Sequence, residues 1–244
     1  MKQHANFIAR RPLELQVTRP TPCPYLPGKT ELRLAADISN HSDRHDQLAR
    51  AGFRRVENWV YKPVCPDCGG CIPIRIAAAH DRETGLRPNR SQRRVQQRNR
   101  DLKRHILPNN PTLEHYELFQ RYLLARHDDG QMAEMDSDSF AALIAASPID
   151  TVVLEYRLDE ELVAVMLVDI QSDGLSAVYS FYDPDITGRS LGTFMILDCA
   201  YLAAEMGFDF VYLGYYVETS RKMNYKARFR PAEMLIQGNW QPAG

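Results

Sequence analysis

The longest change of pattern in the chain lies between residues 162 and 216. Residues 162–170 (LVAVMLVDI) are an almost unbroken apolar run, residues 175–186 (LSAVYSFYDPDI) interleave aromatic and small residues, and residues 208–216 (FDFVYLGYY) repeat that character. Runs this short and this rich in Val, Tyr and Phe predict strands. Between the second and third, residues 187–207 carry apolar side chains at Phe194, Leu197, Cys199, Tyr201, Leu202 and Met206, the spacing of a helix buried along one face. The order strand, strand, helix, strand predicts an α/β (α+β mixed) region.

The rest of the chain is read in the same way. Residues 43–51 predict a short helix ended by Gly52, 53–61 a strand, and the stretch after Cys71 another strand. Ser91 is a candidate cap for a largely polar helix running to about His105, whose apolar positions are chiefly Val95 and Leu102. Residues 112–127 have the apolar spacing of an amphipathic helix, Ser137 or Asp138 can cap another through Ala146, residues 151–158 predict a strand, and a last short strand falls near 234–236. Residues 1–20 read as extended, with Pro12 and Pro20 opposing a helix. The Leu-Pro-Asn-Asn-Pro break at 107–111 predicts two domains, 1–108 and 109–244.

Composition adds bounds. With 244 residues and 44% apolar content the chain can bury an ordinary core. Its opening, MKQHANFIARRP, lacks the apolar run of a secretory signal, and the run at 162–168 is too short to cross a bilayer, so no membrane partner and a cytoplasmic location are expected. The net charge of −1 conceals an uneven distribution. From Arg82 to Arg104 nine basic residues meet only Glu83 and Asp101, whereas from Asp128 to Glu161 ten acidic residues meet only Arg157. A solvated helical face is one reading of the basic run. The other is an RNA-facing surface carried by Arg90, Arg93, Arg94 and Arg98, because Arg, Gln and Asn can fork onto phosphates and sugar edges and acids are too few to pair them internally.

Two further stretches carry candidate chemistry. Asp183, Pro184, Asp185, Gly188 and Gly192 interrupt the pattern just before the long helix, where free backbone amides behind Arg189, Ser190 and Gly192 form a candidate cradle for phosphate or an oxyanion; turn geometry alone also accounts for those glycines. Cys65-x-x-Cys68-x-x-Cys71 sets three thiols in a tight turn, and Cys23, in the stiff Thr-Pro-Cys-Pro-Tyr-Leu-Pro-Gly-Lys loop, is the candidate fourth ligand. In a reducing compartment the choice lies between zinc, an iron-sulfur cluster, a redox pair, and thiols kept without a metal. Cys199, on the long helix, reads as a small core residue.

Ser180-Phe181-Tyr182-Asp183-Pro184-Asp185, Ser190-Leu191-Gly192, Gly214-Tyr215-Tyr216 and Lys222-Met223-Asn224-Tyr225-Lys226 together resemble the carboxy-terminal half of the aminoacyl-tRNA–protein transferases. The Pro-Cys-Pro-Tyr-Leu-Pro-Gly-Lys loop, Phe53-Arg54-Arg55, the cysteine run and Ser91-Gln92-Arg93-Arg94 resemble the amino-terminal half of the bacterial members. The resemblance implies an acetyltransferase-like carboxy-terminal domain with a smaller cysteine-containing amino-terminal domain. It also implies transfer of leucine from leucyl-tRNA to proteins beginning with Asp or Glu, which creates a degradation signal. The family's clustered cysteines favour an iron-sulfur cluster over zinc. The segment Arg189-Ser190-Leu191-Gly192-Thr193-Phe194 departs from a coenzyme A loop at Phe194, which opposes an acyl-coenzyme A transferase. Two more readings stay open: the same reaction with an arginyl donor, and a noncatalytic RNA-binding protein.

Such a reaction needs a neutral attacking amine, a site for the tetrahedral oxyanion and a leaving 3′ oxygen, with no cofactor required for transfer. The candidates are Gly192 and Tyr182 backbone amides for the oxyanion, Asp183 to orient or deprotonate the amine, and Tyr182 or Tyr225 to relay a proton. An acidic acceptor calls for a cation in a partly dry pocket, with Arg54, Arg55, Arg221, Lys222 and Lys226 as candidates.

Overall fold

The computed structural model describes residues 12–80, 84–126 and 135–244. Arg82, Glu83, the end of the helix expected at 112–127, the start of the acidic stretch from Asp128, and the residues before Pro12 lie outside the described residues. In chain order the elements are β1 (Gln16–Val17), β2 (Thr21–Pro22), β3 (Thr30–Glu31), β4 (Arg33–Asp37), α1 (His45–Arg50), β5 (Arg54–Val56), β6 (Trp59–Pro63), β7 (Ile72–Ala77), α2 (Arg90–Arg98) and β8 (Leu102–Pro108). These are followed by α3 (Leu113–Arg126), α4 (Ser137–Ala145), β9 (Thr151–Leu158), β10 (Glu161–Ile170), β11 (Gly174–Tyr182), α5 (Leu191–Glu205), β12 (Phe210–Tyr216), β13 (Ala232–Ile236) and β14 (Asn239–Pro242).

The described strands form an eight-stranded sheet in the order β14-β13-β7-β12-β11-β10-β9-β8, a four-stranded sheet β1-β4-β6-β5 and the small pair β2-β3. The run at 162–168 is apolar throughout because both faces of β10 are covered. Ala164, Met166 and Val168 pack toward α5, while Val165 and Leu167 pack with Leu118, Phe119, Phe140 and Ile144 of α3 and α4. The sheet is therefore sandwiched between α5 and the α3–α4 pair. No helix among the described residues is long and apolar enough to cross a membrane.

β7 and β8, from the first 108 residues, are strands of the large sheet, which is therefore built from both sides of the 107–111 break. Several expected elements are corrected. The basic helix stops at Arg98 and the chain turns at Asn99 into β8; its cap is Asn89, joined to Gln92 in a reciprocal capping box, not Ser91. Asp136, one residue before the expected caps, starts α4. The single strand expected at 53–61 is a hairpin, β5–β6, turning at Glu57 in the left-handed region (φ 52). On α5, Tyr201 and Met206 are exposed, whereas Met195, Ile196, Ala200 and Ala203 join Leu197, Cys199 and Leu202 in the core.

Strand parity in β5 separates two adjacent arginines. Arg55 is buried and grips Asp169 of β10 with two hydrogen bonds of 2.7 and 2.8 Å. Arg54 points the other way, toward β11. Tyr215 of β12 adds hydrogen bonds to the carbonyls of Gly52 and Tyr61, so the small sheet is anchored to the large one by buried polar contacts.

Candidate active site

β11 and β12 are parallel neighbours joined by α5, yet they pair only from Gly174, Leu175 and Ser176 to Phe210, Val211 and Tyr212. Beyond that they part. Gly214, at φ +76, marks the irregularity at which β12 also shifts register against β7. The Arg54 guanidinium fills the space a Gly214 Cβ would need, the nearest nitrogen standing 2.1 Å from that position. It donates to the carbonyls of Val178 (3.0 Å) and Ala177 (3.4 Å), which no strand of the splayed side pairs.

Above the parted strands lies a cleft of about 730 Å³, lined by Tyr122 and Arg126 of α3, Ser180 and Tyr182 of β11, residues 186–193 in part, and Arg221, Lys222 and Tyr225. Tyr182 and Tyr122 meet edge to face at 5.0 Å, and Arg126 stands 5.7 Å above the Tyr182 ring. Burial pushes the Tyr122 hydroxyl up to about 12, and it also raises Tyr225. Gly192 opens the first turn of α5: a Cβ there would meet the Tyr182 ring at 3.4 Å. Ser190 precedes it with φ 55, so the chain enters the helix through the left-handed region, and its carbonyl takes the amides of both Thr193 and Phe194. The earlier amides of a helix have no intrahelical partner, which leaves those of Leu191 and Gly192 for a ligand.

Tyr182, Gly192, Tyr225, Arg221 and Lys222 thus meet in one cleft. A second cavity of about 230 Å³ adjoins it between the parted strands; it shares Tyr122, Ser180 and Tyr225 and contains Arg54 and Lys226. Three expected residues are elsewhere. Asp183 turns its carboxylate to Arg121 (2.9 Å) and lines a different cleft on the α3 side, because it follows Tyr182 on alternating backbone. Arg55 is consumed by Asp169. Arg189 is held by both oxygens of Asp101 (2.6 and 2.8 Å) and does not line the cleft. Tyr122 and Arg126 were not expected in the site, since on sequence they are ordinary positions of an amphipathic helix.

The basic helix abuts this cleft. Arg98 donates to the Gly188 carbonyl (2.9 Å), Arg189 donates to the Arg98 carbonyl (2.8 Å), and the Asn99 amide bonds the Arg189 carbonyl (2.8 Å). Arg90, Arg93 and Arg94 are exposed on α2; Arg93 reaches back to the Pro88 carbonyl. Cys23, Cys65, Cys68 and Cys71 line one small cavity of about 50 Å³, and Cys71 packs in one cluster with Tyr215 and Met223. Burial, then the neighbouring Cys23, Cys65 and Cys68, push the Cys71 thiol up to about 12. Among the described residues no group of three or more Cys, His, Asp or Glu is placed to hold a single metal ion.

A helix start, hydroxyls and exposed cations around an open cleft, beside a second cationic cavity, suit direct acyl transfer from an anionic donor to an amine. Comparison with known proteins narrows that class. The family described as "Arginine-tRNA-protein transferase, N terminus" matches residues 21–94, and its counterpart "Arginine-tRNA-protein transferase, C terminus" matches residues 114–236. A relative in Gluconacetobacter diazotrophicus is 44% identical over 236 residues, covering 96% of this chain and 89% of that protein. One in Phenylobacterium zucineum is 43% identical over 248 residues, covering 98% and 93%. Both are named aspartate/glutamate leucyltransferase. The chain belongs to the arginine-tRNA-protein transferase family. Among solved structures it is similar to the C-terminal domain of a putative lysylphosphatidylglycerol synthetase from Agrobacterium fabrum (TM-score 0.43, 14% identity, 61% of this chain and 47% of that one). The L-PGS of Bacillus licheniformis gives 0.44 and 13%, over 61% and 45%.

Proposed function

We propose that this protein is an aspartate/glutamate leucyltransferase: it moves leucine from leucyl-tRNA to the α-amino group of proteins that begin with Asp or Glu. The observation that carries the reading is 43–44% identity, over nearly the full length of the chain, to enzymes of that name. The amine nitrogen attacks the ester carbonyl of the charged tRNA, a C–N bond forms, the C–O bond to the ribose breaks, and the proton lost by the amine ends on the departing 3′ oxygen. An ester is already activated, so orientation and electrostatics supply most of the acceleration.

In our reading the ester end lies in the large cleft, with the free amides at the start of α5 facing the developing oxyanion and Tyr182 and Tyr225 near the leaving oxygen. The open site beside Gly192 supports this. Arg221 and Lys222, exposed at the rim, suit the phosphates of the tRNA end, and α2 suits its backbone further out. Asp183 has no part in this reading, since Arg121 holds it outside the cleft. The short pairing and early divergence of β11 and β12 around α5 support an acetyltransferase-like arrangement of the carboxy-terminal region. A charged tRNA as donor supports a cytoplasmic place for the reaction.

The four thiols of the cysteine cavity would hold a metal centre that stiffens the turn and takes no part in transfer. Their convergence on one cavity supports the idea, and the clustered cysteines of the family favour an iron-sulfur cluster over zinc. Iron, zinc and acid-labile sulfide measured on anaerobically purified protein test it; stoichiometric absence of all three removes it. For the activity, purified protein is incubated with labelled leucyl-tRNA or arginyl-tRNA and peptides starting with Asp, Glu or Ala. Label passing only from leucyl-tRNA to the acidic peptides is expected, and transfer from arginyl-tRNA alone would replace the donor assignment.

A further inference from the structure

Two cationic side chains converge on the cavity between the parted strands without an acid to neutralise them. Lys226 is 6% exposed, and its ammonium nitrogen bonds only the Tyr215 carbonyl (2.9 Å) and the Met223 sulfur (3.6 Å). Arg54, half-buried, bonds only the carbonyls of Ala177 and Val178. Neither forms an ion pair among the described residues, whereas Arg55, Arg75, Arg104, Arg157 and Arg189 all do. A buried cation beside a half-buried one of the same sign is costly unless an anion joins them. No described residue supplies one there, so the cavity suits a carboxylate brought from outside.

The rest of its lining fits a side chain that is apolar up to its tip: Met166, Ile196, Leu213 and Met223 surround the two cations. Position decides which carboxylate. Tyr225 borders both this cavity and the large cleft. A Glu carboxylate lies only about 4 Å from its own α-carbon, so an acceptor whose amine reaches the ester in the cleft has its side chain within reach of the adjoining cavity. Arg221 and Lys222 are poorer candidates. They are exposed, and a cation in water does not separate Glu from the isosteric Gln, whereas the buried Lys226 beside the half-buried Arg54 disfavours the uncharged amide, which leaves the buried charge unmatched.

We propose that the cavity between the parted ends of β11 and β12 is the acceptor subsite, in which Arg54 and Lys226 together bind the side-chain carboxylate of an amino-terminal Asp or Glu. The assignment rests on the leucyltransferase reading and deepens it. In the empty protein, burial first and then Arg54 hold the Lys226 ammonium well below its usual pKa, and Cys71 opposes this only in part. A bound carboxylate reverses the balance, so acidic acceptors bind with an ammonium that the empty cavity disfavours.

The test uses the full chain with leucyl-tRNA and peptides starting with Glu or Gln. Lys226→Met keeps the length and packing of the side chain and removes the charge. It should cut kcat/KM for the Glu peptide roughly a hundredfold, chiefly through KM, and collapse the preference for Glu over Gln while leucyl-tRNA binding is unchanged. Arg54→Gln should act in the same direction. A Glu preference that survives in both folded variants overturns the proposal, as does a change in donor selectivity instead, which would make the cavity the leucine pocket. A second measurement needs no variant. With isotope-labelled methionine methyls in the natural chain, a Glu peptide added without tRNA should shift the Met166 and Met223 signals and a Gln peptide should not; shifts confined to other methionines overturn the assignment. Failure of the natural chain to transfer leucine to any acidic peptide is a different result, and it removes the leucyltransferase reading together with the subsite.

Discussion

Arg54 and Arg55 are neighbours with the same charge and opposite fates. Arg55 and Asp169 are each about 1% exposed and bonded at both ends, and Thr151 donates to the same carboxylate (2.8 Å). Removing one partner strands a buried charge, so Arg55→Ala should lose about 3–5 kcal/mol of stability, read from chemical denaturation. Gly192 is a steric requirement of another kind. Its backbone is ordinary helix, but a branched side chain there would press on Tyr182 and close the route to the α5 amides. Gly192→Val should leave the melting temperature nearly unchanged and lower transfer by roughly a hundredfold in a labelled-leucine assay.

Among the elements, α2 carries the test of the RNA surface. The side chains of Arg90 and Arg94 make no hydrogen bond or ion pair among the described residues, unlike those of Arg93 and Arg98, so they report on an external partner without disturbing the helix. The double change to Ala should weaken leucyl-tRNA binding and reduce the slope of log affinity against log salt by about two; an unaltered slope in a filter-binding titration would put the RNA elsewhere. The two strands, helix and strand from 162 to 216 could be read from the chain because long apolar runs and helical spacing are local properties. The two arginines could not be told apart, because their directions depend on a hairpin turning at Glu57, a residue with no conformational signature of its own. The end of α2 was also hidden. Asn99 and Asp101 stop the helix through contacts with residues some 90 positions away, Arg189 above all. The joining of Cys23 to the cysteine turn rests on spacing plus a stiff loop, and it was legible for that reason.

For the whole molecule, titration of Lys226 leaves a signature in global stability. Folding lowers its proton affinity, so the unfolded chain binds more protons between the depressed native value and the ordinary 10.5, and stability from this group rises with pH through that window. Buried tyrosines such as Tyr212, pushed up to about 12, act in the opposite direction at high pH, so the useful quantity is a difference between proteins. The natural chain should gain on Lys226→Met as pH increases toward 10.5 in paired denaturation curves, and curves that stay parallel would mean the lysine is charged in both states.

Through Arg98, Asn99 and Arg189 the end of α2 is latched to the backbone of Gly188 and Arg189, so the platform proposed for the nucleic acid and the lip of the large cleft are one piece of scaffold. With leucyl-tRNA docked as proposed, that scaffold aims its ester. An RNA trimmed to its acceptor stem should therefore dock more weakly yet, once docked, surrender its leucine at the speed of the intact molecule.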